Sequence, residues 1–463
     1  MAGILLEQAP QDWQILQQKE GYADILLSGR VVDPPSADGS ERVLARVVEE
    51  ATGALVVPPV TCPLKDDRFS LCIPKVPAGG LYRIETCLRF REIAERRGDR
   101  RHHIGVGDVF LIAGQSNAVG VGKDTVSDPP EPGIHQFRLC GRWDMASHPL
   151  HDSTDTLFPA AQEQCQTGHS PWISFARTLR RQLGYPIGLI PAAKGGVPLS
   201  TWDRTADGYL FDTMLEIVQS AGSGLKGVLW YHGCNDANPQ DSPTYLSRFQ
   251  RVVEDFRQCL GGELPFLTVQ LNKTTCTKNS TGAARETMLT AWATIREAQR
   301  QAAFQIPEVT MIPSIDMKVC DGVHNAAISN MALGERLARV ALGHLYGMPV
   351  CCDAPQIAWA KQTGEQEITA EFGHVVDHLN TDIIRTEHLM FTARDALGIL
   401  EPVDYNREGR RIILRFGRAP EGETFLDCRR MNEQCLMPYD PDTYLPVVPF
   451  YGFPVELTTV KGE

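Results

Sequence analysis

The sequence predicts an α/β protein: a central, mostly parallel sheet covered by helices and flanked by two β-rich regions. Three observations predict it. Between residues 105 and 347 five short runs are almost wholly apolar, as strands buried on both faces of a parallel sheet are. Amphipathic stretches of helical length lie between those runs. On either side the pattern changes to short β-rich segments broken by Pro, Gly and Asp.

In chain order, residues 1–104 contain ADILLSGRVV, RVLARVVEE, GALVVPPV, FSLCIPKV and LYRIETCLRF, which predict a β-sandwich-like region. Residues 105–347 hold the apolar runs DVFLIAG (108–114), YPIGLIPA (185–192), KGVLWYHG (226–233), LPFLTVQLN (264–272) and VTMIPSID (309–316). Helices are expected over 172–183, 208–220, 244–260, 284–303 and 328–346. In 244–260 Leu246, Phe249, Val252, Val253, Phe256 and Leu260 fall on one face. Residues 348–463 turn β-rich again, with EITAEFGHVV, HLMFTARD, RRIILRFG and LPVVPF. They form either a unit of their own or the completion of the N-terminal sandwich.

The formal net charge of -12 excludes nucleic acid as a partner, which demands a basic face. No run reaches the roughly 20 apolar residues that span a bilayer, so no membrane partner is expected. The opening residues lack a basic stretch followed by an apolar one, and the expected location is cytoplasmic. Thirteen cysteines without paired spacing suit free thiols rather than a disulfide framework or a zinc site. No metal or other cofactor is expected. His102, His103, His135, His148, His151 and His169 lack ligand spacing and read as structural. The oligomeric state is open, a homodimer being one candidate.

In an open α/β sheet ligands bind beyond the carboxyl ends of the strands. Those ends deliver Gln115-Ser116-Asn117, Lys194-Gly195-Gly196, Gly233-Cys234-Asn235-Asp236 and Asp321-Gly322-Val323-His324. Acyl transfer needs such parts. A serine hydroxyl attacks only when a base takes its proton, and a carboxylate orients the imidazole that does so. A tetrahedral oxyanion needs preorganised donors. The N–H of Ser116, of Gly195 or Gly196, and the Asn235 amide are the candidates.

GDVFLIAGQSNAVG, AAKGGVPLSTW, KGVLWYHGCNDA and CDGVHNAAISNMALGERLA resemble the four sequence blocks of the SGNH hydrolases, and more specifically those of the sialate O-acetylesterase type of carbohydrate esterase. The resemblance covers about 105–347. It implies a flavodoxin-like three-layer fold, Ser116 as nucleophile, His324 as base, Asp321 as its acid, and Gly196 or its neighbour Gly195 in the oxyanion hole. AWATIREAQR (291–300) resembles the helix before the last catalytic strand. In the third block Cys234 replaces a frequent Glu and His232 a usual Gln, while Asn235 keeps the position of the SGNH asparagine. That departure loosens the substrate more than the chemistry.

The expected activity is removal of acetyl esters from a small sugar or oligosaccharide. An O-acetylated sialic acid is the first choice and acetylated xylo- or manno-oligosaccharides the second. A carbohydrate-binding protein on a disabled hydrolase scaffold is the rival of another class. Trp202 reads either as a sugar-stacking platform or as a core aromatic. Lys194 and Arg285 are candidate carboxylate clamps, each with a solvated surface role as the alternative. Gln115 and Asn117 hold the Ser116 loop or touch substrate, and Asp236 reads as a helix cap.

Overall fold

The computed structural model describes residues 3–32, 40–90, 93–275, 282–429 and 434–457. The central sheet is built on strands β1 (Ile93–Gly114), β2 (Ile134–Arg138), β3 (Arg142–Met145), β4 (Ile187–Pro191), β5 (Gly227–Tyr231), β6 (Phe266–Gln270) and β7 (Val309–Pro313). Their order is β3-β2-β4-β1-β5-β6-β7. Only β2 and β3 pair antiparallel; the other neighbours on this path run parallel. The chain is α/β, as the apolar runs require. Every residue of β4, β5 and β6 is buried.

Helices α1 (Ser116–Val119), α2 (Trp172–Leu183), α3 (Tyr209–Ala221), α4 (Tyr245–Leu260), α5 (Gly282–Gln305) and α6 (Ala327–His344) cover the sheet. Trp230 lies opposite Ala113 in the β1–β5 register, so it points to the other face from Phe110. Phe110 meets Phe175 of α2, which packs on α6, while Trp230 meets Phe249 and Phe256 of α4. The sheet is thereby enclosed from both sides.

Strands β2 and β3 were not expected. His135 and Gln136 interrupt the apolar run, yet both are buried and fully engaged. The His135 ring lies 2.6 Å from the Trp13 carbonyl through Nδ1, and its Nε2 accepts the Gly133 N–H at 3.3 Å. Gln136 donates to the Leu150 carbonyl and accepts the Ser147 N–H. Hydrogen bonding replaced apolarity here.

The N-terminal region has its own core, including Ile25, Leu27, Val43, Val47, Ile73, Ile84 and Leu88. Tyr22–Val31 pairs antiparallel with Ile4–Gln8 and Arg68–Pro77, and Glu41–Glu49 with Val60–Pro63 and Gly79–Phe90. Gly79–Phe90 then pairs with β1, whose far end is the centre of the parallel sheet. The C-terminal region forms two four-stranded antiparallel sheets. Its buried Ile368, Phe372, Phe391, Leu414 and Phe450 belong to the same apolar cluster as the α/β unit. Among the described strands none pairs the N-terminal region with the C-terminal one. Among the described residues no helix is long and apolar enough to cross a membrane.

Candidate active site

At the carboxyl end of β1 the chain turns sharply. Gly114 has φ +126°, and a Cβ there would lie 2.3 Å from the Tyr231 carbonyl oxygen; only glycine permits this approach. The turn starts α1 at Ser116 and leaves the Ser116 N–H without a partner among the described residues. Ser116 is 6% exposed.

The loop after β7 meets it. His324 Nε2 is 2.8 Å from Ser116 Oγ, and His324 Nδ1 is 2.8 Å from Asp321 Oδ2. An ionised carboxylate only accepts, so Nδ1 carries the proton and Nε2 accepts from the hydroxyl. The other oxygen of Asp321 accepts the N–H groups of Val323 and His324. Burial raises the Asp321 carboxyl, but those N–H groups and the imidazole outweigh it and hold the group below its usual value. Asn117 fixes the loop from the serine side: its amide donates to the Val323 carbonyl and accepts the Asn325 N–H.

Gln115 organises the third block. Its Oε1 accepts the N–H groups of Gly233 and Cys234 at 2.6 and 2.9 Å, and its Nε2 donates to Asn235 Oδ1 at 2.8 Å. Asn235 Nδ2 in turn donates to the Gly196 carbonyl at 3.0 Å. The second amide hydrogen of Asn235, an exposed residue, has no partner among the described residues. Gly196 has φ +72° and open space where a Cβ would stand.

The two glycines separate in role. The Gly195 N–H donates to Glu163 Oε2 at 2.7 Å, so Gly195 is corrected out of the oxyanion donors, while the Gly196 N–H has no partner among the described residues. Glu163 was missed. Its carboxylate also accepts the N–H groups of Gln164 and Cys165. Burial raises it, but the three N–H donors hold it below its usual value. It stands in a loop, 32 residues before its partner, where no spacing signal marks it.

Other expectations need correction. Trp202 is fully buried and packs on Trp230 and Phe256; it is core, because three aromatic rings close over the α3–α4 face. Lys194 Nζ donates to the carbonyls of Ala160 and Gln162, which ties down the loop carrying Glu163 rather than leaving a free cation. Arg285 is exposed near the start of α5, and among the described residues no hydrogen bond or ion pair joins it to the Ser116 cluster. Asp236 does not cap the helix that follows it: buried, it accepts the N–H of Leu199, the first residue of the 3-10 turn Leu199–Thr201, and pairs with Arg248 of α4, and burial pushes its carboxyl up to about 6. His232 is a fully buried strand-end residue whose ring burial pushes down to about 3. His148 and His169 both reach Asp128, which no spacing suggested.

The arrangement presents a hydroxyl hydrogen-bonded to an oriented imidazole, with three N–H donors close by in the chain segments around it that have no partner among the described residues. Comparison with known proteins fits that chemistry. A family model described as "Carbohydrate esterase, sialic acid-specific acetylesterase" matches residues 106–343. A probable carbohydrate esterase of Arabidopsis thaliana is 30% identical over 186 residues, 35% of this chain and 68% of the relative. A solved carbohydrate acetylesterase from Xanthomonas citri shares the fold across 96% of this chain and 99% of its own, with a TM-score of 0.66 at 20% identity. The family match takes in all four segments of the cluster and over half of the sequence, and the chain belongs to this family of carbohydrate acetylesterases.

Proposed function

We propose that the chain hydrolyses acetyl esters through Ser116, His324 and Asp321, and that O-acetylated sialic acid is its substrate. The relay of two 2.8 Å contacts from Asp321 through His324 to Ser116 carries the reading. Ser116 Oγ attacks the acetyl carbonyl carbon as its proton passes to His324 Nε2. The oxyanion is received by the N–H groups of Ser116 and Gly196 and the second amide hydrogen of Asn235. The imidazolium returns the proton to the sugar oxygen as the C–O bond breaks. Water, deprotonated by the same imidazole, then releases acetate from Ser116. Asp321 steadies the imidazolium throughout.

The substrate rests on the family description and on Lys123. This exposed cation stands in the loop just past α1 and acts electrostatically on both Cys165 and Cys320. The backbone just before it is tied to both neighbouring loops, Gly122 exchanging hydrogen bonds with His169 and Val121 accepting from the Cys320 thiol, and a sugar carboxylate would meet the lysine there. A second reading, acetylated xylo- or manno-oligosaccharides, is favoured by the engagement of Lys194 with the Ala160 and Gln162 carbonyls, which takes up one candidate carboxylate clamp.

Acetate release from O-acetyl sialic acid against acetylated xylo- and manno-oligosaccharides decides between them. Lys123→Met should raise KM for the sialate several-fold and leave p-nitrophenyl acetate untouched. Fast release only from the neutral sugars would replace the first reading by the second. Ser116→Ala should lower kcat by about 10⁴-fold or more; wild-type rates in that variant would remove the mechanism.

A further inference from the structure

Two groups of side chains among the described residues bring three metal-binding atoms within 4.8 Å of one another: Asp128 with His148 and His169, and His344 with Cys352 and Asp353. They differ in charge. Arg177 already pairs with Asp128, so a cation occupies the place where a metal's charge would act. Among the described residues Asp353 pairs with imidazoles, His344 Nε2 at 2.8 Å and, on the opposite oxygen, His374 Nδ1 at 3.8 Å, and the nearby Arg339 favours the thiolate of Cys352.

We propose that His344, Cys352 and Asp353 bind one structural divalent cation of the zinc type, with His374, now 3.8 Å from the second Asp353 oxygen, turning in as the fourth ligand. The donor set is two imidazoles, one thiolate and one carboxylate, which suits tetrahedral zinc and no hard oxygen-seeking ion. A thiolate and a carboxylate balance the two positive charges, so the site would be neutral. The thiol is held in place: a Cβ at Gly343 would stand 2.4 Å from Cys352 Sγ, so only glycine lets the sulfur settle on the last turn of α6 beside His344. Asp353 and His344, 2.8 Å apart, need separate by about 0.6 Å to sit tetrahedrally at about 2.0–2.2 Å from one metal. Binding would release the thiol proton, and the imidazolium proton of His344 where that ring is charged. The ligands come from the end of α6, the segment leading into the strand Gln356–Gly364, and the turn after Glu367–Gly373. The cation would thus fasten the α/β unit to the first C-terminal sheet. The separations of 8, 1 and 21 residues between His344, Cys352, Asp353 and His374 match no familiar ligand spacing, so the sequence does not announce the site.

Co(II) and Zn(II) titrations of the chelator-treated full-length protein test this. The expected result is one equivalent bound, a thiolate-to-cobalt charge-transfer band with the visible bands of a tetrahedral centre, and a rise in Tm with zinc. Cys352→Ser should abolish the charge-transfer band. His374→Ala, an exposed change that leaves folding intact, should keep the band and weaken zinc by at least the roughly 10–100-fold that loss of an outer-sphere partner costs. Cys351→Ser should change neither. Esterase activity of all three should equal wild type. Absence of stoichiometric binding, a cobalt spectrum without the thiolate band, or wild-type zinc affinity in both Cys352→Ser and His374→Ala would overturn the proposal.

Discussion

Gln115 makes three hydrogen bonds that join the Ser116 turn to the loop carrying Asn235. Gln115→Ala should keep the fold but lower kcat roughly 10²-fold, since a small displacement of reacting groups has that effect; KM should change little. Gln115→Glu keeps the two acceptor contacts, loses the donor to Asn235, and should fall between. Asn235→Ala removes one of the three proposed oxyanion donors and should lower kcat by about 10²–10³. Steady-state kinetics on an acetate ester checks all three. At this scale the residues at strand ends were legible, because sheet topology forces them to one edge. Which glycine N–H is free was not legible. Glu163 settles it, and it arrives from a loop whose path no periodicity encodes. Trp202 shows the same limit: an aromatic residue near a reactive loop reads alike whether it lines a cleft or fills a core.

His135 decides how one element behaves. Its ring bridges the Trp13 carbonyl and the Gly133 N–H, an arrangement that a neutral imidazole satisfies completely. Burial pushes it down to about 4. The unfolded ring takes up its proton near 6.5 and the folded ring only near 4. This contribution to stability is therefore whole above pH 6.5 and lost as the pH falls from there to about 4, to a limit of about 3 kcal/mol. Urea unfolding at pH 7 and pH 4.5 should show the loss, and His135→Gln should reduce the difference. The five apolar strands and the five long helices were readable because burial on both faces leaves a continuous apolar run. Strand β2 escaped because hydrogen-bonded His135 and Gln136 fill two of its buried positions, and β3 because it is four residues long with Trp143 as its buried residue.

Across the whole molecule, the C-terminal sheets share their core with the α/β unit. Gln270 donates to the Pro449 carbonyl and the buried Arg296 to the Cys428 carbonyl. A chain cut after residue 350 would expose that apolar surface and strand the Arg296 guanidinium. It should be insoluble or unfold without a cooperative transition, as circular dichroism during heating would reveal. Composition marked where the β-rich character begins and ends, but not which core the C-terminal strands join, since alternation gives a strand's inward face and not its partner.

The strand Ile93–Gly114 serves both the outlying sandwich and the parallel sheet. Deleting one residue between 93 and 107 would invert every later side chain on it, exchanging Phe110 for Leu111 beneath α2 and pulling Gly114 out of its notch against Tyr231. Insertions and deletions in the sandwich should therefore be tolerated at its loop tips and silence the esterase when they fall on this shared ribbon, far from any atom that touches the ester.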